Sequence, residues 1–170
     1  MALEVERIDP PTTGAEKELL EAFLDYHRAT LLGKVAGLGD EELRRAWVPS
    51  GTSLLSLVKH LGYVERVWFQ ERFAGQEFDH PWSNEDPDAD FRIEPDERTE
   101  SVLAFYREQC DRSRAIVAGA SLDAITKRRH ERTGEEFSLR WILIHMIEET
   151  SRHNGHADIL RELTDGQTGE

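Results

Sequence analysis

The chain has a single cysteine, Cys110, so no internal disulfide can form and the cross-linked scaffolds of small secreted domains are excluded. Long apolar runs are missing too: nothing approaches the roughly 20 residues that a membrane-spanning helix needs. The N-terminal stretch from Met1 to Pro11 is acidic and lacks the positive-then-apolar layout of a secretory signal. Positive charge is scarce. There are 21 Lys and Arg against 34 Asp and Glu, a formal net charge of −13, which argues against nucleic acid or an anionic membrane as the main partner. The one basic gathering, Lys127-Arg128-Arg129-His130-Glu131-Arg132, is followed at once by acidic residues and reads as a solvated loop. Period-2 alternation with β-branched enrichment is absent as well, which leaves little room for a sheet. These absences predict one cytoplasmic domain over 1–170, with roughly the first 12 and last five residues loosely ordered.

What is present is helical. Apolar residues at i, i+3, i+4 spacing predict a first helix over 14–36, with a stripe of Leu19, Leu20, Phe23, Leu24, Leu31, Leu32 and Val35, ended by Gly37 and Gly39. A short capped turn follows at Asp40. Ser50 and Thr52 offer caps for a second helix over 53–74, whose stripe is Leu54, Leu57, Val58, Leu61, Val64 and Trp68, closed by Gly75. The stretch 76–95 is rich in Asp, Pro, Asn and Ser and reads as a long loop of the kind that often rims a site. A third helix starts at Asp96 or Thr99 and runs to Ala118, and a second irregular stretch includes a hairpin signal at Thr133-Gly134. Ser138 caps the last helix, 139–164, with Gly166 beyond its end. Four helices with two longer connections describe an all-α four-helix bundle.

The last helix carries the chemistry. At about 100° per residue, Ile142, Met146, Glu149, His153, Ala157 and Leu160 share one face. Glu149 and His153 therefore occupy positions where Leu or Val is expected. An unpaired buried carboxylate costs several kcal/mol. The pair sits one helical turn apart, and a divalent metal suits both donors. His60 lies at the border of the second helix's stripe and supplies a third ligand from a facing helix, as in bundle-core metal sites. Two imidazoles and one carboxylate leave a position open for water or substrate, and suit zinc most directly, with nickel or iron as other occupants. His156, i+3 from His153, reaches the same cleft as a fourth ligand, an outer partner or a mobile base. Tyr63, Arg66, Trp68 and Arg140 are candidates to line the open end, the arginines to attract an anionic substrate. Glu148 points away and pairs with Arg152. Gly155 suggests close packing. His27, His80 and His130 read as solvent-facing, and His145 as a polar edge residue.

Ser53-Leu54-Leu55-Ser56-Leu57-Val58-Lys59-His60-Leu61-Gly62-Tyr63-Val64-Glu65-Arg66-Val67-Trp68-Phe69, together with Ile147-Glu148-Glu149-Thr150-Ser151-Arg152-His153-Asn154-Gly155-His156-Ala157-Asp158-Ile159-Leu160-Arg161-Glu162, resembles the DinB-like superfamily and its "mini-circle" type branch. That superfamily includes the mycothiol-dependent maleylpyruvate isomerases and the bacillithiol S-transferases. The resemblance implies an up-down-down-up bundle and a metal held by His60, Glu149 and His153. Many members carry His where Glu149 stands, and the isomerase branch carries Glu. The family's His-Arg-Gly-Gln reads His153-Asn154-Gly155-His156 here. The implied activity is a metal-dependent transferase or isomerase that uses a low-molecular-weight thiol such as mycothiol on a small-molecule substrate. The alternative is a non-enzymatic, metal-stabilised bundle acting as a stress-related binding or homodimerisation module.

Overall fold

The computed structural model describes residues 5–130 and 133–169. Glu131 and Arg132 of the basic run and the first four residues of the N-terminal stretch lie outside them. Among the described residues the fold is all-α: α1 spans Glu16–Val35, α2 Asp40–Arg44, α3 Leu54–Glu65, α4 Thr99–Ala118 and α5 Leu139–Asp165. Helix α3 runs without a break into a π-helical segment, Arg66–Phe73, and a single 3₁₀ turn covers Ala89–Phe91.

Local chemistry sets most of the ends. Ser53 caps α3, its hydroxyl accepting from the Ser56 amide at 3.2 Å, whereas Ser50 and Thr52 bond to each other at 3.0 Å and cap nothing. Ser138 caps α5 through the Trp141 amide at 3.2 Å. Gly166 closes α5 in the left-handed conformation, φ 79°, which an L side chain adopts only with strain. The third helix begins at the second of its two expected starts, Thr99. The hairpin signal at Thr133-Gly134 resolves into an excursion held by Thr126 N–H to Phe137 O (2.9 Å) and His130 N–H to Glu135 O (2.9 Å), with a lone bridge between Ile125 and Ser138 and no strand ladder among the described residues.

The core is continuous between α1, α3, α4 and α5. One part gathers Leu31, Val35, Leu57, Leu61, Tyr106 and Leu160; the other gathers Leu24, Phe69, Leu139, Ile142 and Met146. Phe23 departs from the expected stripe and is 45% exposed, because the buried face of α1 instead runs through Leu24, Arg28, Leu31 and Val35. Arg28 is inside because Glu65 meets it there: Nε donates to Oε1 at 2.7 Å and Nη2 to Oε2 at 2.6 Å. Burial works against the Arg28 charge, but the Glu65 carboxylate outweighs it and holds the guanidinium's pKa well above its ordinary value. Gly62 lets α3 and α4 approach closely, since a Cβ there would fall 2.7 Å from the Phe105 ring.

The long loop is pinned to α3. Lys59 donates to the Arg92 carbonyl at 2.7 Å and to Glu97 at 2.8 Å. Trp82 packs edge-on against Tyr63, and the loop's 3₁₀ turn lands beside His60. That anchoring is what the site below depends on.

Candidate metal centre

Antiparallel α3 and α5 bring the three expected side chains together. Glu149 and His153 stand one turn apart on α5, and Glu149 Oε1 lies 3.2 Å from His153 Nε2. The same oxygen is 3.5 Å from His60 Nε2 on α3. One ligand atom from each residue lies within 4.8 Å of the others. His153 is buried, while the His60 and Glu149 side chains keep 13% and 21% of their exposure. The cluster is therefore sheltered, with a route to solvent.

A fourth side chain aims the first. Asp90, buried on the 3₁₀ turn, places Oδ2 at 2.7 Å from His60 Nδ1. Phe91 stacks on the same ring, with 3.8 Å between centroids and 20° between planes. With Nδ1–H donating to Asp90, Nε2 is left as an acceptor turned toward Glu149, itself only an acceptor when ionised. His60 Nε2 is buried and has no hydrogen-bond partner. Two lone-pair donors facing each other in a sheltered pocket call for a cation between them. In the absence of metal a proton serves: burial opposes charging His60, but Asp90 and Glu149 raise its pKa above the ordinary value. Glu149 is held far below the usual carboxylate range, by His153 first and His60 second. The donor set and the orphaned Nε2 fit a zinc-type divalent ion with one position open, and the carboxylate–histidine pair is the outer support such ligands carry.

The remaining expected residues divide. His156 meets His153 on the far side of the ring, Nδ1 to Nδ1 at 3.4 Å, and does not converge with the triad; it stands as an outer neighbour. Trp68 lies on the α5 side, 4.6 Å from His145 and 5.3 Å from Trp141 between ring centroids. Tyr63 and Arg66 lie on the α4 side: Tyr63 packs on Phe105, and Arg66 sits over Phe105 and Phe78 and donates to Gln109 at 3.3 Å. Arg140 is at the opposite end of α5, bonded to Glu16 at 2.8 Å and to Asp123. Neither arginine is placed to draw an anion to the triad.

Three smaller expectations also shift. His80 is not solvent-facing but pairs with Glu71 at 2.8 Å and stacks on Trp82. His145 is half-buried within an aromatic cluster, and burial lowers its pKa. Gly155 has open space where a Cβ would go, so close packing does not account for it. Glu148 pairs with Arg152 as expected, at 3.0 Å. Asp90 escaped the sequence reading because a loop aspartate carries no periodicity, and nothing local ties it to a histidine 30 positions earlier. Arg28 and Glu65 were missed too, although both sit on apolar stripes and the rule that singled out Glu149 could have found them.

Residues 19–166 match the family described as mycothiol-S-transferase, and the chain is a member of that family. Through it the chain belongs to the DinB-like superfamily, with which the all-helical fold and the His60, Glu149 and His153 cluster agree. No curated protein matches it.

Proposed function

We propose that the protein is a divalent-metal-dependent S-transferase that joins a low-molecular-weight thiol of the mycothiol type to a small electrophile. The observation that carries this reading is the convergence of His60, Glu149 and His153 around an unpartnered Nε2, in a chain of the mycothiol-S-transferase family. His60 Nε2, His153 Nε2 and a Glu149 oxygen would hold the ion. Bound there, zinc, or nickel or iron in its place, supplies the Lewis acidity that keeps a thiol sulfur deprotonated at neutral pH.

The chain's own residues orient and shelter. Asp90 fixes the His60 tautomer, Phe91 covers the ring, and the facing helices exclude water from all but one side. In the transfer, sulfur forms a bond to the electrophilic carbon. The leaving group departs with its electron pair, and the thiol proton passes to water. His156, standing outside the converging atoms, leaves the site open, which favours a catalytic over a closed structural centre. The antiparallel pairing of α3 with α5 agrees with an up-down-down-up bundle. A cytoplasmic location follows from chemistry that needs a reduced thiol.

The test is elemental analysis of the purified protein together with calorimetry using mycothiol. About one zinc-type ion per chain and saturable thiol binding are expected, both lost in His60→Ala. Metal without thiol binding would remove the transferase and leave a metal-stabilised bundle. No metal uptake at all would remove both.

A further inference from the structure

Away from the metal centre, the seam between α3 and the start of α4 holds a cavity of about 340 Å³, a size within the range of small-molecule sites. Lys59 and Val102, both buried, form its floor, and the half-buried rings of Tyr63 and Phe105 form its walls. Gly62 shapes this seam. With no Cβ, it lets the Phe105 ring lie against α3 beside Tyr63, 4.8 Å away between centroids and tilted by 48°. Trp82 holds Tyr63 edge-on from the loop, and Arg66 backs Phe105 at 4.7 Å without lining the cavity. No triad residue lines it either.

The polar groups at the rim are ones the fold leaves unused. Asp96 and the hydroxyls of Tyr63 and Ser101 make no hydrogen bond among the described residues. Arg98 reaches only Glu100, at 3.9 Å, with both side chains exposed. Lys59 is committed to the Arg92 carbonyl and to Glu97, so it is no free cation. Burial raises the Tyr63 pKa, and its hydroxyl therefore stays a donor. Asp96 only accepts, and Ser101 does both.

Charge then selects the ligand. Two carboxylates, Asp96 and Glu97, balance two cations, Lys59 and Arg98, so the lining is neutral. An anion gains nothing there, because it meets Asp96 and Glu97, and a cation meets the ammonium and the guanidinium. A wholly apolar ligand strips water from Asp96 and two hydroxyls without replacing their hydrogen bonds. What fits is an uncharged ring with several hydroxyls at its edge and C–H groups for the electron-rich aromatic faces.

We infer that the α3–α4 cavity binds a neutral polyhydroxylated ring, a pyranose or a cyclitol, at a site separate from the metal centre. This inference stands apart from the proposed S-transfer: loss of metal uptake leaves it intact, and failure of ring binding leaves the triad intact.

The test is titration of the purified protein, with and without chelator treatment, with methyl glucoside and with myo-inositol, read by amide NMR shifts. Saturable shifts are expected for at least one ring in both metal states, centred on 59–63 and 96–105. Binding should weaken about 3–10-fold in Tyr63→Ala, the worth of one aromatic contact. Asp96→Ala should cost a similar factor through its lost hydrogen bond, while Ile159→Ala, an exposed position on α5, leaves binding unchanged. Ser101→Trp adds bulk at an exposed rim position and should block the cavity with the bundle intact, which keeps the test decisive if Tyr63→Ala unsettles the loop. Cyclohexanol should bind more weakly than either ring, and glucose 6-phosphate no more tightly than glucose. Competition between myo-inositol and mycothiol would identify the ring with the thiol's headgroup, and independent binding would make it a second ligand; the site stands in both cases. Equal binding of cyclohexanol overturns hydroxyl recognition, and a preference for the phosphate overturns the neutral ligand. No saturable shift from any probe, or shifts centred on 145–156, overturns the site itself.

Discussion

At the scale of single residues, the side chains that matter most are those whose polar atoms are committed. Asp90 donates no ligand, yet it decides which nitrogen of His60 faces the pocket. Asp90→Asn keeps the size and removes the charge, so the bundle should hold while zinc affinity falls about 10–100-fold, the usual cost of losing such a partner. Competition with a chromogenic chelator reads that directly, and unchanged affinity would mean the tautomer is fixed by something else. Cys110 is the opposite case, a side chain with no role in the chemistry. Burial pushes its thiol up to about 12, and Tyr106 beside it is raised well above the usual phenol range, again chiefly by burial. Both groups keep their protons in the folded state at pH values where the unfolded chain has released them. The folded state then binds more protons, so stability is intact below about pH 9 and declines as pH rises toward 12. Thermal melts of wild type and Cys110→Ala across that window should show a shallower decline in the variant. Ellman's reagent should leave native Cys110 unlabelled at pH 8 and label it in denaturant.

At the scale of elements, the apolar stripes hold the helices together, and one ion pair buried among them is the point where a single substitution costs most. Arg28 and Glu65 tie α1 to α3 through a two-pronged contact that water does not reach. Removing Arg28 strands the buried Glu65 carboxylate, whereas removing Glu65 leaves the guanidinium with Asp25 at 2.8 Å, so Arg28→Ala should cost about 3–5 kcal/mol by urea denaturation. The double change Arg28→Met with Glu65→Leu should recover most of that loss, since it strands no charge. Periodicity made the long helices legible: Leu54, Leu57, Val58 and Leu61 mark α3, and Leu139, Ile142 and Met146 mark α5. Serine caps and Gly166 marked several of their ends. The change from α to π winding after Glu65 left no such mark, because Trp68 and Phe69 satisfy an apolar stripe under either spacing. Within that segment Trp68 packs on α5 and Phe69 in the core.

At the scale of the whole molecule, the triad joins α3 to α5 across a gap the sequence could only suggest. Glu149 and His153 were readable as a pair from their four-residue spacing. Pairing them with His60 relied on family likeness as well as on its border position. The arginines were misplaced because a helical wheel assigns a face but not a neighbour: Arg66 found α4, and Arg140 found Glu16 and Asp123. A ligand set drawn from two helices would make a bound ion part of the fold. Stripping metal should lower Tm, with a stability loss near 2.7 kcal/mol where free ion had stood about 100-fold above its Kd. Scanning calorimetry before and after chelation, with zinc added back, measures it. An identical Tm in both states would place the ion outside the folding equilibrium.

The residue that aims His60 reaches it from a stretch of chain with one short turn and no other regular structure. The orientation of one proposed ligand is thereby set by a part of the molecule outside the four long helices. Exposed positions of 76–95 would tune how firmly an ion is held, whereas Ala89, Phe91 and Ile93 of the same stretch pack into the core. A change in affinity made there would reach the bundle only through the share of its stability that ion binding supplies.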